Sequence, residues 1–184
     1  MTALSEQISI REMTEEDLGV LLTWLTDPEV LMYYDGRDVH YDEGSLRENY
    51  WDPLPPDSYR MIIEYGGRPL GYIQIFFADD EIREEYSYSS DLSKVYAADM
   101  FIGAPEYWNR GIGTAAMEAL CRWLRDSLGA EAVILDPRKN NPRAIHMYHK
   151  AGFSQIGELP GHEVHEGEVC DCILMERRLI NNDS

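Results

Sequence analysis

The sequence predicts an α/β protein in which helices pack around one sheet, and two observations support this prediction. Segments with strand-like alternation and segments with helical periodicity follow one another as strand, helices, three strands, helix, strand, helix and two strands. The chain has 184 residues, 44% of them hydrophobic, which suits one domain with a substantial core. It contains no internal repeat, linker or low-complexity tract, so we expect a single domain over residues 1–184.

The first elements are a strand and several helices. Residues 8–13, ISIREM, alternate in polarity and predict a strand. Thr14 opens TEEDLGVLLTWL, in which a capping-box pattern precedes apolar residues at helical spacing. Asp27 and Pro28 end that helix, and Pro28 favours a second, short helix through Met32. The stretch DEGSLRENYW predicts a weaker helix before the proline-rich DPLPP.

The middle of the chain predicts a hairpin, a loop and a strand. Two apolar runs in SYRMIIEYGGRPLGYIQIFFA join at Gly66 and Gly67, a pattern typical of a hairpin. Residues 79–94 are polar and acidic and predict a loop. Residues 95–103, VYAADMFIG, predict the next strand.

The C-terminal half alternates helices with strands. GIGTAAMEALCRWLRDSL predicts a helix closed by Gly129, and AVILD predicts a short buried strand. NPRAIHMYHKAGF predicts a helix with Pro142 near its first turn and Gly152 at its end. SQIGEL and EVCDCILMERRL predict the last two strands, joined by a loop that carries His162 and His165.

The formal net charge of −18 limits the kinds of partner. Nucleic-acid binding depends on Lys and Arg that neutralise phosphates, so an acidic chain argues against it. The charge favours a cationic partner or serves solubility alone. No apolar run is long enough to span a bilayer, and the N-terminal MTALSEQISIREM has no signal-peptide core, so we expect a cytoplasmic protein without a membrane role.

Three cysteines in a chain of this length do not indicate a disulfide framework. Cys170 and Cys172 alternate within an apolar stretch, as two thiols on one face of a strand would. No matching His/Cys pair stands at ligand spacing elsewhere, so we predict no metal site. We expect the five histidines in surface or core positions rather than in catalysis.

The Gly111-Ile112-Gly113 turn follows a predicted strand and opens a predicted helix. Backbone N–H groups at such a point have no intrahelical partner, and the helix dipole is positive there. Arg110 adds a positive charge beside the turn, and Arg143 is a second candidate. The turn therefore suits a bulky anion, although an ordinary tight turn explains the glycines equally well. It matches neither a Walker P-loop nor a dinucleotide fingerprint.

Together, RGIG and NPRAIHMYHKAGF resemble the GCN5-related N-acetyltransferase superfamily, and the resemblance covers nearly the whole chain. It implies a single mixed, mostly antiparallel sheet flanked by helices, with acetyl-coenzyme A as cofactor. The superfamily's common Gln or Arg three residues before the first glycine is Trp108 here, which places one phosphate contact in doubt. The cofactor residues that the resemblance implies are Met100, Phe101, Ile102, Arg110, Gly111, Ile112, Gly113, Thr114, Asn141 and Ala144.

A narrower resemblance is to the aminoglycoside 6'-N-acetyltransferases, through IREMTEEDLGVLLTWL, YYDG, LGYIQIF, ADMFIG and LDPRKNNPRAIHMYHKAGF. It implies an acceptor-binding Asp at Asp99, a second carboxylate at Asp136, and paired aromatics at Tyr33 and Tyr34. Protein N-terminal acetyltransferases share the YWxRG turn, so they remain an alternative, as does a polyamine acetyltransferase. A non-catalytic sensor of coenzyme A or polyamines is a third alternative, disfavoured by the presence of both Asp99 and Tyr148.

Acetyl transfer to an amine requires a neutral amine, an electrophilic thioester and stabilisation of the departing thiolate. Free amines in water are mostly protonated, with a pKa of about 10.4 for lysine. Alternation places Ala97, Asp99 and Phe101 on one strand face, where a carboxylate needs a partner or a function. We therefore predict that Asp99 binds the ammonium and takes its proton. By resemblance, Tyr148 is the acid that protonates the thiolate.

An acidic cleft would steer a polycationic acceptor, which gives the negative charge of the chain a function. Tyrosines near the cleft could also stack against sugar rings. The predicted acceptor-binding residues are Tyr33, Tyr34, Asp35, Asp79, Asp80, Glu84, Glu85 and Asp136. For residues 79–91 a solvated loop is an equally good explanation. The sequence leaves open whether the chain is a monomer or a homodimer.

Overall fold

The computed structural model describes residues 4–180, so the two ends of the predicted domain 1–184 lie outside the described residues. One sheet organises them. Its strands, in chain order, are β1 (Ile8–Glu12), β2 (Tyr59–Tyr65), β3 (Arg68–Phe77), β4 (Val95–Ile102), β5 (Ala132–Leu135), β6 (Ser154–His165) and β7 (Glu168–Arg178). They lie in the order β1-β2-β3-β4-β5-β7-β6. The β4–β5 pair is parallel and the other neighbours are antiparallel, which confirms the predicted mixed, mostly antiparallel sheet.

The helices are α1 (Leu4–Gln7), α2 (Leu18–Trp24), α3 (Pro28–Leu31), α4 (Glu43–Tyr50), α5 (Asp80–Glu85), α6 (Ile112–Trp123) and α7 (Pro142–Lys150). Side-chain caps begin several of them, including α3 and α7. Asp27 caps α3 ahead of Pro28, and the Asn141 side chain caps α7 by accepting from the Ala144 N–H at 3.2 Å. None of the helices in residues 4–180 has the length and apolar character needed to cross a membrane.

The sheet carries apolar clusters on both faces. Ile73, Ala98 and Met117 belong to the cluster under α6 and α7. On the other face, Tyr72 and Phe101 pack with the residues of α2, α3 and α4. Along β4, Ala98, Met100 and Ile102 pack in the first cluster and Phe101 in the second, so the end of this strand contacts both helical layers.

The sheet opens between its two parallel strands. β4 pairs with β5 only as far as Ala97 and Ile134, although β4 continues to Ile102 and β5 ends at Leu135. Beyond that point half of the backbone N–H and C=O groups of β4 have no strand partner on the β5 side. The opening is where a ligand can bind to the backbone of β4.

Two predictions of local structure are wrong. The predicted loop 79–94 contains α5, because the Asp79 side chain caps the helix by accepting from the Ile82 N–H at 3.0 Å. His162 and His165 lie within β6 rather than in a loop, because β6 and β7 continue to a tight turn. Glu166 and Gly167 form that turn, and both have positive φ, as two-residue hairpin turns require.

Gly103 fixes the packing of α2 against the end of β4. A Cβ atom at Gly103 would overlap the indole ring of Trp24, and Gly103 itself is buried. Trp24 in turn packs edge-on against Phe101, with ring centroids 6.1 Å apart. The absence of a side chain at Gly103 therefore allows the α2 layer to approach the strand.

We predict that Gly103→Ala lowers the free energy of unfolding by about 1–3 kcal/mol, because an overpacked core must shift to admit the methyl group. Gly19→Ala is the matched control, since Gly19 lies exposed on α2 with no atom near the added Cβ. That variant should be unchanged or more stable by up to about 1 kcal/mol. Chemical denaturation of both variants measures the difference, and equal stabilities would contradict the proposed packing role.

Candidate functional site

A groove of about 680 Å³ runs from the opening of the sheet to the first turn of α6 and along α7. All of the predicted cofactor residues line it except Arg110. The lining residues among them are Met100, Phe101, Ile102, Gly111, Ile112, Gly113, Thr114, Asn141 and Ala144. Sequence-distant segments therefore meet in one groove, because the sheet brings the end of β4 beside the starts of both helices.

The glycine turn forms the positive end of the groove. Gly111 has φ of 82°, a left-handed conformation that glycine adopts without strain, and α6 begins at the next residue. A Cβ at Gly113 would lie 3.4 Å from Met147 Cγ, so a bare backbone faces α7 there. The N–H groups of the first turn of α6 have no intrahelical acceptors. The turn suits an anion of the size of a pyrophosphate.

Arg143 rather than Arg110 lines the groove, together with Lys150. The Arg110 guanidinium lies 5.4 Å from the ring centroid of Tyr107 and outside the groove lining. Arg143 lines the groove, with its guanidinium 3.9 Å from the ring centroids of both Tyr33 and Trp108. Burial lowers the pKa of Arg143. Arg110 precedes the glycine turn in the sequence, but its side chain does not line the groove. Arg143 lies in the first turn of α7 and does line it.

Trp108, the departure from the superfamily pattern, has a structural role. Its Nε1–H donates to the carbonyl oxygen of Ile102 at 2.8 Å, and its ring lines the groove. The indole therefore holds the segment after β4 against the strand end, where it also packs edge-on against Tyr33.

A second pocket of about 320 Å³ adjoins the groove. The two cavities share Tyr33, Met100, Asn141, Ala144 and Tyr148. The second pocket is lined by carboxylates from five segments of the chain, namely Asp35, Glu85, Asp99, Asp136 and Glu163. This acidic pocket opens onto the groove at the centre of β4.

Asp99 is the carboxylate at the base of the acidic pocket. It is accessible from the pocket, and no protein group within residues 4–180 donates a hydrogen bond to it. Desolvation by the surrounding protein raises the pKa of Asp99 to about 8, although its side chain remains open to the pocket. The negative charges of Asp136 and Glu163 contribute to the same shift. Asp99 can therefore exchange a proton near neutral pH, and it has no structural partner to lose.

Tyr148 lies where the groove and the acidic pocket meet. Its side chain is buried, and its ring packs against Phe153 with centroids 5.9 Å apart. Burial and the charges of Asp99 and Asp136 raise the pKa of Tyr148 above its usual value. The phenol is therefore protonated at neutral pH and can act as a proton donor.

Asp35 is fixed by two tyrosines behind the pocket. The hydroxyls of Tyr41 and Tyr50 both donate to its Oδ2, each at 2.7 Å. Burial followed by the bond to Asp35 raises the pKa of Tyr41 to about 12. Tyr34 also lines the pocket and packs against Phe101 with ring centroids 4.6 Å apart.

The β6–β7 hairpin supplies a wall that the sequence analysis did not predict. The buried guanidinium of Arg138 donates from NH1 to Glu163 Oε1 at 2.6 Å and from NH2 to the carbonyl oxygen of Tyr33 at 2.9 Å. At the hairpin tip Arg37 forms a bidentate ion pair with Glu166, at 2.6 and 2.7 Å. These bonds join the hairpin to the segment after α3 and thereby form one wall of the pocket.

The sequence analysis did not predict three residues of the acidic pocket. They are Arg138, His162 and Glu163. His162 Nε2 lies 3.1 Å from Asp136 Oδ2, and the ring of Tyr86 packs edge-on against the imidazole with centroids 5.1 Å apart. Residues 154–165 show no regular alternation, and Pro160 and Gly161 interrupt them, so the sequence carried no clear signal for the longer β6 that brings His162 to Asp136.

Three predicted acceptor residues lie outside the acidic pocket. Asp79 caps α5, Asp80 is exposed on the first turn of that helix, and Glu84 is exposed near its end. Only Glu85, together with Tyr86, reaches the pocket from this segment. The physical reason is the helix itself, because successive side chains point in different directions around its axis.

The raised pKa of Asp99 predicts that the residue destabilises the fold as pH rises. An unfolded Asp titrates at about 3.9, so between about pH 4 and pH 8 the native state binds more protons than the unfolded state. The contribution of Asp99 to the free energy of unfolding is fully present below pH 4 and is lost as the pH rises through 8. Asp99→Asn cannot ionise, so its melting temperature relative to the wild type should increase from pH 5 to pH 9.

Thermal unfolding of both proteins across that range measures the difference. Asp80→Asn is the control, because Asp80 is exposed and outside the pocket, and its melting-temperature difference should stay constant. A constant difference for Asp99→Asn as well would show that Asp99 titrates as it does in the unfolded chain.

Comparison with known proteins agrees with this geometry. The model of the acetyltransferase (GNAT) family matches residues 20–153. An aminoglycoside N(6')-acetyltransferase type 1 from Klebsiella pneumoniae is 27% identical over 159 residues, which cover 85% of this chain and 79% of that protein.

Two solved structures show the same fold at lower identity. The complex of AAC(6')-Ib with ribostamycin and coenzyme A has a TM-score of 0.77 at 24% identity, covering 97% of this chain and 98% of that one. Spermidine N-acetyltransferase from Vibrio cholerae, in complex with coenzyme A and spermine, has a TM-score of 0.75 at 16% identity and covers 95% and 96%. The family match covers most of the chain, and the chain therefore belongs to the acetyltransferase (GNAT) family.

Proposed function

We propose that the protein transfers an acetyl group from acetyl-coenzyme A to an amine of an aminoglycoside, at the 6'-amino position. The observation that carries the proposal is the junction of the two cavities, where Asp99 and Tyr148 lie between an acidic pocket and a groove with a positive end. Acetylation neutralises an amine of the drug, which would confer resistance. Acetyl-coenzyme A places the reaction in the cytoplasm, with the chain acting as a monomer or homodimer.

The groove fits acetyl-coenzyme A in shape and charge. The bare backbone at Gly111 and Gly113 would receive the pyrophosphate, and the unpaired edge of β4 from Met100 to Ile102 would receive the pantetheine arm. Asn141 and Ala144 line the groove at the junction with the acidic pocket. When bound, acetyl-coenzyme A supplies the activated acetyl thioester. Backbone N–H groups of β4 would polarise the carbonyl of that thioester.

Asp99 would bind the acceptor ammonium and take its proton. A cation beside Asp99 favours its ionised form and lowers its pKa from about 8, so the acceptor itself prepares the base. The amine becomes a nucleophile once its proton has passed to the carboxylate, directly or through water. Tyr148 would donate its phenolic proton to the departing thiolate.

The small volume and the carboxylate lining of the acidic pocket favour a small polycation over a peptide. The hairpin wall held by Arg138 and the Arg37–Glu166 pair leaves about 320 Å³, lined by five carboxylates. A protein N-terminus would need an open groove for the rest of its chain. A polyamine is the second candidate, because the Vibrio cholerae structure of the same fold holds spermine. A non-catalytic sensor would need neither Asp99 nor Tyr148.

Turnover of acetyl-coenzyme A by the purified protein, followed as free thiol release, tests the proposal. Ribostamycin and kanamycin should react with kcat/KM of about 10⁴ M⁻¹s⁻¹ or higher, within the usual range of enzymes. Paromomycin has a hydroxyl at the 6' position, so it should not be acetylated there, and NMR of the products locates the acetyl group. Faster turnover of spermidine or of a peptide would favour the alternatives, and no turnover at all would favour a sensor.

We predict that Asp99→Asn lowers kcat/KM for ribostamycin by at least about 10²-fold, because Asn can neither take a proton nor balance an ammonium. Affinity for acetyl-coenzyme A, measured by calorimetry, should stay unchanged. Part of the activity should return at higher pH, where more of the amine arrives neutral. Tyr148→Phe should instead lower kcat with little change in acceptor KM. Near-normal turnover by folded Asp99→Asn would mean that the proton leaves by water or by another carboxylate, with Asp136 the next candidate.

We predict that Gly111→Asp weakens acetyl-coenzyme A binding by at least about tenfold, or about 1.4 kcal/mol. The substitution adds a negative charge where the pyrophosphate would bind, at a φ of 82° that an L side chain rarely adopts. Gly111→Asn is the matched control, because it has the same shape without the charge and should lose less affinity. Unchanged affinity in a folded Gly111→Asp protein would move the phosphate site elsewhere.

A further inference from the structure

His162 is built into the acidic pocket, yet the proposed transfer of acetyl and protons does not use it. Its side chain is 11% exposed, with Nε2 3.1 Å from Asp136 Oδ2. The ring of Tyr86, which also lines the pocket, packs edge-on against the imidazole with centroids 5.1 Å apart. The histidine is therefore held in one orientation, with its ionisable ring beside a carboxylate of the acceptor site.

The groups that face His162 come from every neighbouring segment. Asp136 follows β5, Glu85 and Tyr86 lie at the end of α5, and Glu163 is adjacent on β6. Asp99 of β4 interacts with the imidazole across the pocket. The hydrogen bond to Asp136 raises the pKa of His162, although burial of the ring opposes the shift. In the free protein the imidazole consequently retains a proton up to a higher pH than an isolated histidine.

We propose that His162 is a proton-exchanging cation of the acceptor pocket, which balances Asp136 in the free protein and releases its proton when a second ammonium group of the acceptor arrives there. The proposal rests on the proposed function, since it takes the acceptor to be a polycation. One proton moves from the imidazolium to solvent, and the charge of the pocket is preserved. Without such a cation, the enclosed carboxylates would repel one another, because Arg138 is already paired with Glu163.

This exchange makes His162 a specificity determinant. An acceptor with one ammonium group can pair with the Asp99 carboxylate while the imidazole of His162 keeps its proton. An acceptor with several ammonium groups displaces it, so the affinity for polycations should depend more steeply on pH than the affinity for monoamines. The enzyme would then select polycations most strongly where His162 is neutral, above its raised pKa.

Calorimetry of ribostamycin binding in buffers of different ionisation enthalpy counts the released protons. The comparison is between the wild type and His162→Gln, so proton release by Asp99 is present in both proteins. At pH 6.5, where an ordinary histidine is half protonated, the wild type should release at least about half a proton more per bound ligand than His162→Gln. Gln keeps an N–H donor for Asp136 but does not titrate. His40→Gln is the control, because His40 is exposed and outside both cavities.

His162→Lys tests the same inference in the opposite direction, since lysine keeps its charge throughout the pH range. At pH 8 the Kd for ribostamycin should rise at least about tenfold, while that for the monoamine methyl 6-amino-6-deoxyglucoside should change little. A merely structural histidine would affect both ligands alike. Equal proton release with and without His162 would overturn the inference while leaving acetylation intact. Failure of the wild type to bind ribostamycin would overturn the proposed function and this inference together.

Discussion

The site depends on the point where β4 and β5 stop pairing. Their parallel register ends at Ala97 and Ile134, and the remaining residues of β4 keep only the partners on the β3 side. In the interior of a sheet, backbone N–H and C=O groups normally pair with those of neighbouring strands. The unpaired groups of β4 are therefore available to form hydrogen bonds with a ligand. Both cavities begin at this opening, and the starts of α6 and α7 lie against it. The groove, the acidic pocket and the contact between them therefore have one structural origin.

The charge of the chain is divided between two neighbouring cavities. Most of the acidic surplus is spread over the surface, but five carboxylates converge on a pocket of about 320 Å³. The groove beside it has its positive end at the glycine turn and carries Arg143 between Tyr33 and Trp108. An anion and a polycation can thus bind within reach of each other without competing, since each cavity repels the ligand of the other.

Asp99 illustrates how the site differs from the surrounding core. Desolvation and the neighbouring carboxylates raise the pKa of Asp99 to about 8, and its ionisation lowers the stability of the fold at high pH. The fold tolerates this because the hairpin wall is held separately, through Arg138 and the Arg37–Glu166 pair. His162 fits the same pattern, as a cation that balances Asp136 until a ligand replaces it.

Local signals in the sequence determined most of the strands and helices and the turn at Gly111, because each depends on residues adjacent in the chain. The motifs also predicted Asp99 and Tyr148 as the catalytic pair, and the structure brings both to the acidic pocket. The helix α5 was missed although its cap at Asp79 is local, and it leaves Asp79, Asp80 and Glu84 outside the pocket. Only the tertiary structure decided that Arg143 rather than Arg110 lines the groove and that β6 carries His162 to Asp136. Those two outcomes depend on packing between segments more than twenty residues apart, which periodicity and spacing do not encode.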